Sequence, residues 1–185
     1  MKVITLDPKA LSAACLRLEE AARGFAPDLI VGIATGGEEV ARRMFADLPH
    51  ASVRCRRPGS ERKDHNPRLF WLIRRLPRPF RDLMRIAEAR LLAIRGTRAE
   101  ERTVEVSPEA ARAIAHASRI LVVDDAADSG ATLAAVLRAL GTAKSTAGAV
   151  LTVTTAAPAV RPDYTLYDNR TLLRFPWSKD FNPED

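Results

Sequence analysis

The chain has 185 residues, of which 46% are hydrophobic, so it has the size of one ordinary domain and enough apolar residues for a sizeable core. No apolar run approaches the roughly 20 residues needed to cross a bilayer, and the N-terminus turns polar too soon for a signal peptide, which together predict a cytoplasmic protein. Cys15 and Cys55 stand without a CxxC motif or clustered histidines, which argues against a disulfide framework and a zinc site.

The net charge of +6 is concentrated in one segment. Residues 54–102 contain fifteen Arg or Lys and six Asp or Glu, whereas the rest of the chain has slightly more acidic than basic residues. Any surface for an acidic partner is therefore expected in this segment.

The first half of the chain predicts alternating helices and strands, because helical and two-residue apolar periodicities follow one another between turn signals. The first helix has an aspartate and a proline at its start and a glycine at its end, as is typical of helix termini. The predicted elements are a helix from Asp7-Pro8 to Gly24, a buried strand at 29–33, a helix through Val40, Met44 and Phe45 after a turn at 34–37, and a strand at 51–56.

The second half begins with a polar loop at 57–67 and two basic amphipathic helices at 69–76 and 80–94, which Pro77-Arg78-Pro79 separates. A helix, a buried strand, a second helix and two further strands follow before an irregular tail. These elements are expected from Ser107-Pro108 to Ser118, at 120–123, at 133–140, at 147–155 and at 164–167.

This order of elements predicts an α/β fold, a doubly wound parallel sheet with helices on both faces. Such sheets bind ligands outside the carboxyl ends of their strands, and both glycine-bearing turns fall on that edge. We expect a single domain over residues 1–185, with a basic loop and helical insertion at 57–102 and a small C-terminal hood at 156–185.

The most informative segment is 120–133, Ile-Leu-Val-Val-Asp-Asp-Ala-Ala-Asp-Ser-Gly-Ala-Thr-Leu. Residues 128–132 place backbone N–H groups, two hydroxyls and a glycine at the start of a helix, where unsatisfied donors and the helix dipole favour a phosphate. Asp124 and Asp125 follow the buried strand and can accept hydrogen bonds from a vicinal diol. A phosphate and a diol together indicate a ribose 5-phosphate.

The segment resembles the phosphoribosyl pyrophosphate (PRPP) signature of the type I phosphoribosyltransferases, in which a hydrophobic strand, two acids, a hydroxyl residue, glycine and threonine follow in this order. The order of elements resembles the core of the same family over nearly the whole chain. The alternative is an ordinary turn of another doubly wound protein, with the acid pair capping a helix.

The resemblance implies displacement of pyrophosphate from C1 of PRPP by a nitrogen nucleophile. The turn Thr35, Gly36 and Gly37 matches the pyrophosphate loop, although the family often has Arg or Lys where this chain has Thr35. Mg²⁺ is the implied cofactor, held mainly by PRPP oxygens and water. Without the downstream signature, Gly36 and Gly37 would equally suit a plain tight turn.

The resemblance also assigns roles within the signature segment. Asp124 and Asp125 correspond to the residues that bind the ribose hydroxyls, and the residues that correspond to the 5′-phosphate site are Asp128, Ser129, Gly130, Ala131 and Thr132. In the 6-oxopurine branch an aspartate at the position of Asp128 lies beside N7 of the base, so Asp128 is a candidate general acid or base. Its alternative role is to cap the helix that starts at Ser129.

The tail resembles the hood of the xanthine-guanine branch through residues 164–168 and the sequence Phe175-Pro176-Trp177. Two positions depart from that branch, because Ala157 replaces a base-binding lysine and Leu172 replaces a stacking aromatic residue. Phe175 or Trp177 is the alternative platform for an acceptor, although Trp177 suits an ordinary core role as well.

The basic insertion has three interpretations. It forms a catalytic lid in which Arg62, Lys63 or His65 reaches the pyrophosphate, a surface for RNA or anionic lipid, or a solvated face of two helices that pack on the domain or across a dimer interface. The second interpretation depends on the arginines at positions 74, 75, 78, 81, 85 and 90, with residues 70–72 as apolar anchors. The third interpretation is favoured over the nucleic-acid surface.

Three hypotheses of function follow. The first is a Mg²⁺-dependent phosphoribosyltransferase, expected to be a homo-oligomer, with a purine-like or other nitrogenous acceptor. The second is a non-catalytic regulator of the same fold that senses PRPP or a nucleotide and binds nucleic acid through the basic insertion. The third is a transferase whose acceptor is not a free nucleobase, which accords with Ala157 and Leu172.

Overall fold

The computed structural model describes residues 1–56, 75–94 and 102–183, with the backbone alone for 88–94. Eight strands lie in these ranges: β1 (Lys2–Thr5), β2 (Leu29–Ala34), β3 (His50–Arg56), β4 (Thr103–Val106), β5 (Arg119–Ala127), β6 (Ser145–Val153), β7 (Tyr164–Tyr167) and β8 (Thr171–Arg174). The helices are α1 (Pro8–Ala22), α2 (Gly36–Ala41), α3 (Arg78–Ile94), α4 (Pro108–His116) and α5 (Ala131–Leu140), with a 3₁₀ turn at Arg23–Phe25.

Six strands form the main sheet, in the order β4-β3-β2-β5-β6-β7, and β1 pairs with β8 in a second sheet. All pairs are parallel except β3 with β4, which is antiparallel. The predicted α/β fold with a doubly wound parallel sheet is therefore confirmed, with β4 as an antiparallel edge strand that was not expected.

The apolar run of β5 explains why the sheet is covered on both faces. Alternate side chains of a strand point to opposite faces, and in β5 both sets are fully buried. Leu121 and Val123 belong to a core with α1 and α2, whereas Ile120 and Val122 belong to a core with α4 and α5.

Two helices start where the sequence predicts, because a side chain caps each of them. The Asp7 carboxylate accepts a hydrogen bond from the backbone N–H of Ala10 at 2.7 Å, and the Ser107 hydroxyl accepts one from the N–H of Ala110 at 3.2 Å. A proline occupies the first turn in both cases, where its missing N–H costs nothing.

Three strands were not predicted, and one helix is shorter than expected. The strands β1 and β8 pair across more than 160 residues of chain, and β4 is a four-residue edge strand, so local periodicity does not reveal them. The second predicted helix ends at Ala41 and excludes Met44 and Phe45, because the N–H groups of residues 43 and 44 bond to carbonyls three residues back and not four. Phe45 then has a left-handed φ of 48°.

The proline break predicted at 77–79 is in fact a helix start. Helix α3 begins at Arg78 with Pro79 in its first turn, a position where proline is tolerated. Most of the predicted helix at 69–76 lies outside the described residues.

The order of the strands reverses between β2 and β5. The chain leaves β2 through α2 on one face toward β3, and it leaves β5 through α5 on the other face toward β6. The loops after the two strands therefore diverge and leave a crevice at their carboxyl ends, where ligands of such folds bind.

Within the described ranges, no helix has the length and apolar character required to span a membrane. Cys15 lies in the core, where burial raises the pKa of its thiol to about 11, and Cys55 is half-buried in β3. Both thiols are free.

Candidate active site

The carboxyl end of β5 brings two carboxylates to the crevice. Asp124 is still paired with Val150 of β6, and Asp125 follows it in the same strand. The backbone N–H of Asp125 donates to Oδ1 of Asp124 at 2.9 Å, which fixes the first carboxylate against the chain. The two acids therefore lie side by side at the edge of the sheet.

The surroundings of the pair disfavour its charged forms. Burial, together with the negative charge of Asp125, raises the pKa of Asp124 well above its ordinary value. Burial also raises the pKa of Asp125, against the opposing effect of a hydrogen bond from the Trp177 indole. Donors or a cation from a ligand would relieve this cost, so the pair is suited to bind hydroxyl groups or a hydrated metal.

The diglycine turn after β2 packs directly against these acids. A Cβ on Gly36 would overlap the Asp125 carboxylate, and one on Gly37 would lie 2.7 Å from the Cα of Asp124. Glycine is therefore required at both positions by close approach, and the plain-turn interpretation does not account for this. Thr35 is exposed beside them, after a cis Ala34–Thr35 peptide.

The 128–132 turn joins β5 to α5 and has the geometry of an anion cradle. Gly130 is left-handed, with φ of 70°, and it is the N-cap residue of α5. The Ser129 hydroxyl accepts a 3.3 Å hydrogen bond from the N–H of Ala131. The carbonyl of Ser129 accepts one from the N–H of Ala159 at 2.8 Å, so the loop between β6 and β7 braces the turn from outside.

Asp128 does not have the capping role that was its alternative assignment. No side chain caps α5, whose N-cap is Gly130, and the Asp128 carboxylate instead accepts a 2.8 Å hydrogen bond from the Thr154 hydroxyl. Asp128 is exposed at the mouth of the crevice. A carboxylate held by one hydroxyl at an open site is available to a ligand, which leaves general acid or base chemistry as its candidate role.

Trp177 reaches the acid pair, which the sequence did not predict. Its indole N–H donates to Oδ2 of Asp125 at 3.0 Å, and its ring stacks on Phe175 with centroids 4.9 Å apart and parallel planes. Trp177 is 37% exposed, so it lines the site and is not a core residue. Phe175 is only 4% exposed, and the expectation that it offers a platform to an acceptor is wrong.

The two departures from the xanthine-guanine pattern lie in different places. Ala157 is exposed on the segment that braces the 128–132 turn. Leu172 is buried in β8, opposite Val3 of β1, where it contributes to packing.

Arg102 is a further residue at this edge that the sequence did not indicate. It immediately precedes β4, and its Nη1 donates to the Thr132 hydroxyl at 2.6 Å. The contact joins residues 30 positions apart through an antiparallel strand that has no strong sequence pattern, so no signal could have found it.

The basic insertion is described only in part. Arg62, Lys63 and His65, the predicted lid residues, lie outside the described residues. Arg81 is 2% exposed, and Arg85 forms an ion pair with Asp180 at 2.6 Å. These two arginines face the protein, so the predicted nucleic-acid surface cannot use them.

Comparisons with known proteins identify a family and similar folds. A family model described as a phosphoribosyl transferase domain matches residues 10–182. No curated protein matches the chain.

Solved structures of similar fold include three that the chain covers almost entirely. A purine phosphoribosyltransferase from Pyrococcus horikoshii OT3 is 21% identical, with a TM-score of 0.61 over 96% of this chain and 95% of that one. A xanthine-guanine-hypoxanthine phosphoribosyltransferase from Helicobacter pylori is 18% identical, with a TM-score of 0.59 over 95% and 93%. A hypothetical protein from Neisseria gonorrhoeae with bound ppGpp is 18% identical, with a TM-score of 0.57 over 95% and 89%.

Proposed function

The chain belongs to the phosphoribosyltransferase family, and on that premise we propose that it transfers the phosphoribosyl group of PRPP to a nitrogenous acceptor and releases pyrophosphate. One observation carries the proposal. The acid pair, the diglycine turn and the 128–132 turn meet at the crevice between β2 and β5. The diglycine turn packs on the acid pair, and the 128–132 turn follows the acid pair along the chain at the end of β5. A ribose that bears phosphate groups at both ends needs this combination of sites.

The acid pair is proposed to hold the ribose. Ionised Asp124 and Asp125 would accept hydrogen bonds from the two hydroxyls, and these charge-assisted bonds are about twice as strong as neutral ones. The raised pKa of each acid supports this role, because partly buried carboxylates with few donors gain when a ligand supplies more of them. The Trp177 indole would keep Asp125 oriented during binding.

The two glycine-bearing turns are proposed to hold the phosphate groups. Backbone N–H groups at Gly36 and Gly37 would face the pyrophosphate, and residues 128–132 would face the 5′-phosphate at the start of α5. The reaction breaks the bond between C1 and the pyrophosphate oxygen, forms a bond from C1 to the acceptor nitrogen, and releases the proton of that nitrogen. Asp128 is the proposed acceptor of this proton.

Mg²⁺ is the proposed cofactor, and the donor set accords with it. No cluster of three or more potential ligand side chains occurs among the described residues, so the ion would be held by PRPP oxygens and water, beside the carboxylates of Asp124 and Asp125. When bound, it would neutralise charge on the leaving pyrophosphate.

A purine-like base is the proposed acceptor class. Asp128 is exposed at the mouth of the crevice, and Trp177 offers a partly exposed aromatic edge beside the acid pair. Two proteins of the same fold act on purines according to their names. Ala157 offers no hydrogen bond to an oxo group, so the acceptor range includes nitrogen nucleophiles other than free nucleobases.

The test measures binding and turnover separately. Purified protein with Mg²⁺ is titrated with PRPP by calorimetry, and pyrophosphate release is then followed with a panel of purines, pyrimidines and amines. We expect PRPP to bind and at least one acceptor to release pyrophosphate with a matching phosphoribosylated product in mass spectra. A protein that neither binds PRPP nor releases pyrophosphate with any acceptor contradicts the proposal.

The same titration discriminates the regulatory alternative. A protein of the same fold holds ppGpp in its structure, which makes ppGpp an informative competitor here. Tight binding of ppGpp or PRPP without turnover of any acceptor would favour the sensing function over the transferase. Arg81 and Arg85, which face the protein, weigh against the nucleic-acid part of that alternative.

A further inference from the structure

Arg102 stands where a bound phosphate would be expected, yet it belongs to neither the signature segment nor the diglycine turn. It precedes β4, the antiparallel edge strand beside β3, and α5 lies against these strands. Its Nη1 donates to Oγ1 of Thr132 at 2.6 Å, in the first turn of α5. The strand pairing therefore places a permanent positive charge next to the 128–132 turn.

The remaining donors of this guanidinium lack an anionic partner in the described part of the chain. Its Nε is buried and meets no hydrogen-bond acceptor among the described residues, none of whose carboxylates forms an ion pair with Arg102. The Cys55 thiol, a weak partner, is close enough to feel its charge. A half-buried guanidinium whose Nε meets no acceptor among the described residues is costly, and a bound anion would remove that cost.

The bond to Thr132 also determines what that hydroxyl can do. A threonine hydroxyl has one hydrogen to donate, and the arginine N–H occupies a lone pair of its oxygen. The hydroxyl hydrogen of Thr132 is then left for another acceptor. The hydrogen bond that the hydroxyl accepts from the charged guanidinium makes this hydroxyl a stronger donor. Arg102 thus prepares Thr132 to donate to a phosphate oxygen.

We infer that Arg102 is a binding residue for the 5′-phosphate of the substrate, acting by direct charge and by orienting the Thr132 hydroxyl. The inference rests on the proposed function and adds a residue that fixes the phosphorylated end of the ribose. It predicts that Arg102 matters for ligands that carry a sugar phosphate and not for pyrophosphate, which would bind at the diglycine turn.

The experiment compares ligands that share one end of PRPP. Dissociation constants for ribose 5-phosphate, PRPP and inorganic pyrophosphate are measured by calorimetry for the parent protein, Arg102→Met, Arg102→Lys and the control Arg112→Met, whose arginine is exposed on α4. Arg102→Met should weaken the affinity for ribose 5-phosphate and for PRPP by about tenfold or more, as expected for a lost charge-assisted bond. It should change the affinity for pyrophosphate by less than about twofold.

The other variants separate a binding role from a structural one. Arg102→Lys keeps the charge but not the planar fork, so it should retain part of the ribose 5-phosphate affinity, and Arg112→Met should match the parent. If Arg102→Met does not fold, the lysine variant alone decides, with an expected loss for ribose 5-phosphate and none for pyrophosphate.

Two results would overturn the inference. The first is an unchanged affinity of Arg102→Met for ribose 5-phosphate; if that variant does not fold, an unchanged affinity of Arg102→Lys counts in its place. The second is a loss of pyrophosphate affinity equal to the loss of ribose 5-phosphate affinity, which would indicate a structural effect. In both cases the parent binds PRPP and the proposed function stands. A parent that binds none of the three ligands overturns the inference and the proposed function together.

Discussion

Asp125 is held from two sides before any substrate arrives. The Trp177 indole N–H donates to its Oδ2, and Gly36 approaches the same carboxylate so closely that no larger residue fits. One partner comes from the C-terminal tail and the other from the turn after β2. The orientation of this acid therefore depends on three separated parts of the chain, which preorganises its carboxylate.

Asp124 shows that binding and stability make opposite demands. Burial and its acidic neighbour raise the pKa of Asp124, so the folded state holds its proton more tightly than the unfolded chain does. The stability that this provides is complete below the unfolded pKa of about 3.9 and is lost as pH rises toward the raised folded value. At neutral pH the ligand-free protein should therefore carry a destabilising carboxylate.

Asp124→Asn should consequently stabilise the ligand-free protein at pH 7 while it abolishes PRPP binding. The amide oxygen can still accept the hydrogen bond from the N–H of Asp125, and no charge is left to desolvate. A gain of about 1 kcal/mol would raise the melting temperature by about 2–4 °C in a chain of this length. Calorimetric melting and PRPP titration of the same samples measure both effects.

Asp47→Asn is the matched control, because Asp47 is exposed on the loop before β3. It should leave stability within about 0.5 kcal/mol and PRPP affinity unchanged. A melting temperature for Asp124→Asn that falls below that of the parent at pH 7, or a retained PRPP affinity, would contradict the roles assigned to this acid.

At the residue scale, the sequence indicates acids and glycines better than their partners. The place of Asp124 and Asp125 follows from a buried strand that ends in acids, a pattern that is local. The contact between Trp177 and Asp125 spans 52 residues, and that between Arg102 and Thr132 spans 30. Such contacts depend on how distant elements meet, which local spacing does not encode.

At the scale of elements, helix α3 has an unusual orientation. Two of its arginines face the protein, where Arg81 donates to the backbone carbonyl of Asp180 at 2.7 Å and Arg85 pairs with the Asp180 side chain. Amphipathic periodicity predicted the helix, and the favoured interpretation was a solvated charged face with the apolar side packed on the domain or across a dimer interface. Asp180, a half-buried acid of the tail, draws this side of the helix inward, since charged groups need partners once they leave water.

Asp180 connects this helix to the tail that carries Trp177. Its two carboxylate oxygens accept hydrogen bonds from Arg85 at 2.6 Å and from fully buried Arg174 at 2.9 Å. Burial alone would raise its pKa, but the charges of the two arginines outweigh burial and lower it. The two arginines thus favour the ionised form of Asp180.

Asp180→Asn should destabilise the protein, because it leaves Arg85 and Arg174 without a shared charge. Loss of one member of a buried ion pair costs about 3–5 kcal/mol, and the loss here should lie at or below the lower end of that range, because Arg174 keeps its ion pair with Asp82 at 2.6 Å. The parent should lose the same stability only in acid. Because the pKa of Asp180 is lower in the folded protein than in the unfolded chain, its ion pairs stabilise the fold above the unfolded pKa of about 3.9. That stability is lost as the pH falls through the folded pKa. Melting temperatures measured from pH 7 to pH 2 should therefore converge for parent and variant.

A double-variant cycle with Arg174→Met isolates the pair. If the two residues act together, the double variant should be less destabilised than the sum of the single variants. Additive effects, or parallel melting curves across the acid range, would show that the ion pair is not what anchors the tail.

At the scale of the whole molecule, the sequence predicted which edge of the sheet carries the candidate site, because that edge follows from topology. Alternating helices and buried strands imply a parallel sheet, and two glycine-bearing turns after its strands imply a shared carboxyl edge. The reversal of strand order between β2 and β5 was not predictable, since it depends on which strands pair across the chain. It is this reversal that makes the two turns neighbours and brings the diglycine turn onto the acid pair.

The outward face of α3 bears on assembly of the molecule. Phe80, Leu83 and Met84 share one side of the helix and are 60%, 62% and 48% exposed. We propose that this face packs against a second copy of the chain in a homo-oligomer. In a symmetric dimer each of these side chains is buried on both subunits. Each buried leucine contributes about 1.5–3 kcal/mol to the free energy of association.

Leu83→Glu should therefore dissociate the oligomer, because it places an unpaired carboxylate in that contact on both subunits. Light scattering coupled to size exclusion should give a parent mass of at least twice 20.3 kDa and a variant mass of 20.3 kDa at the same concentration. Leu16→Glu is the control, since Leu16 is 60% exposed on α1 and should leave the mass unchanged. A parent of monomeric mass at every concentration, or equal dissociation by both variants, would exclude the face of α3 as the contact between copies.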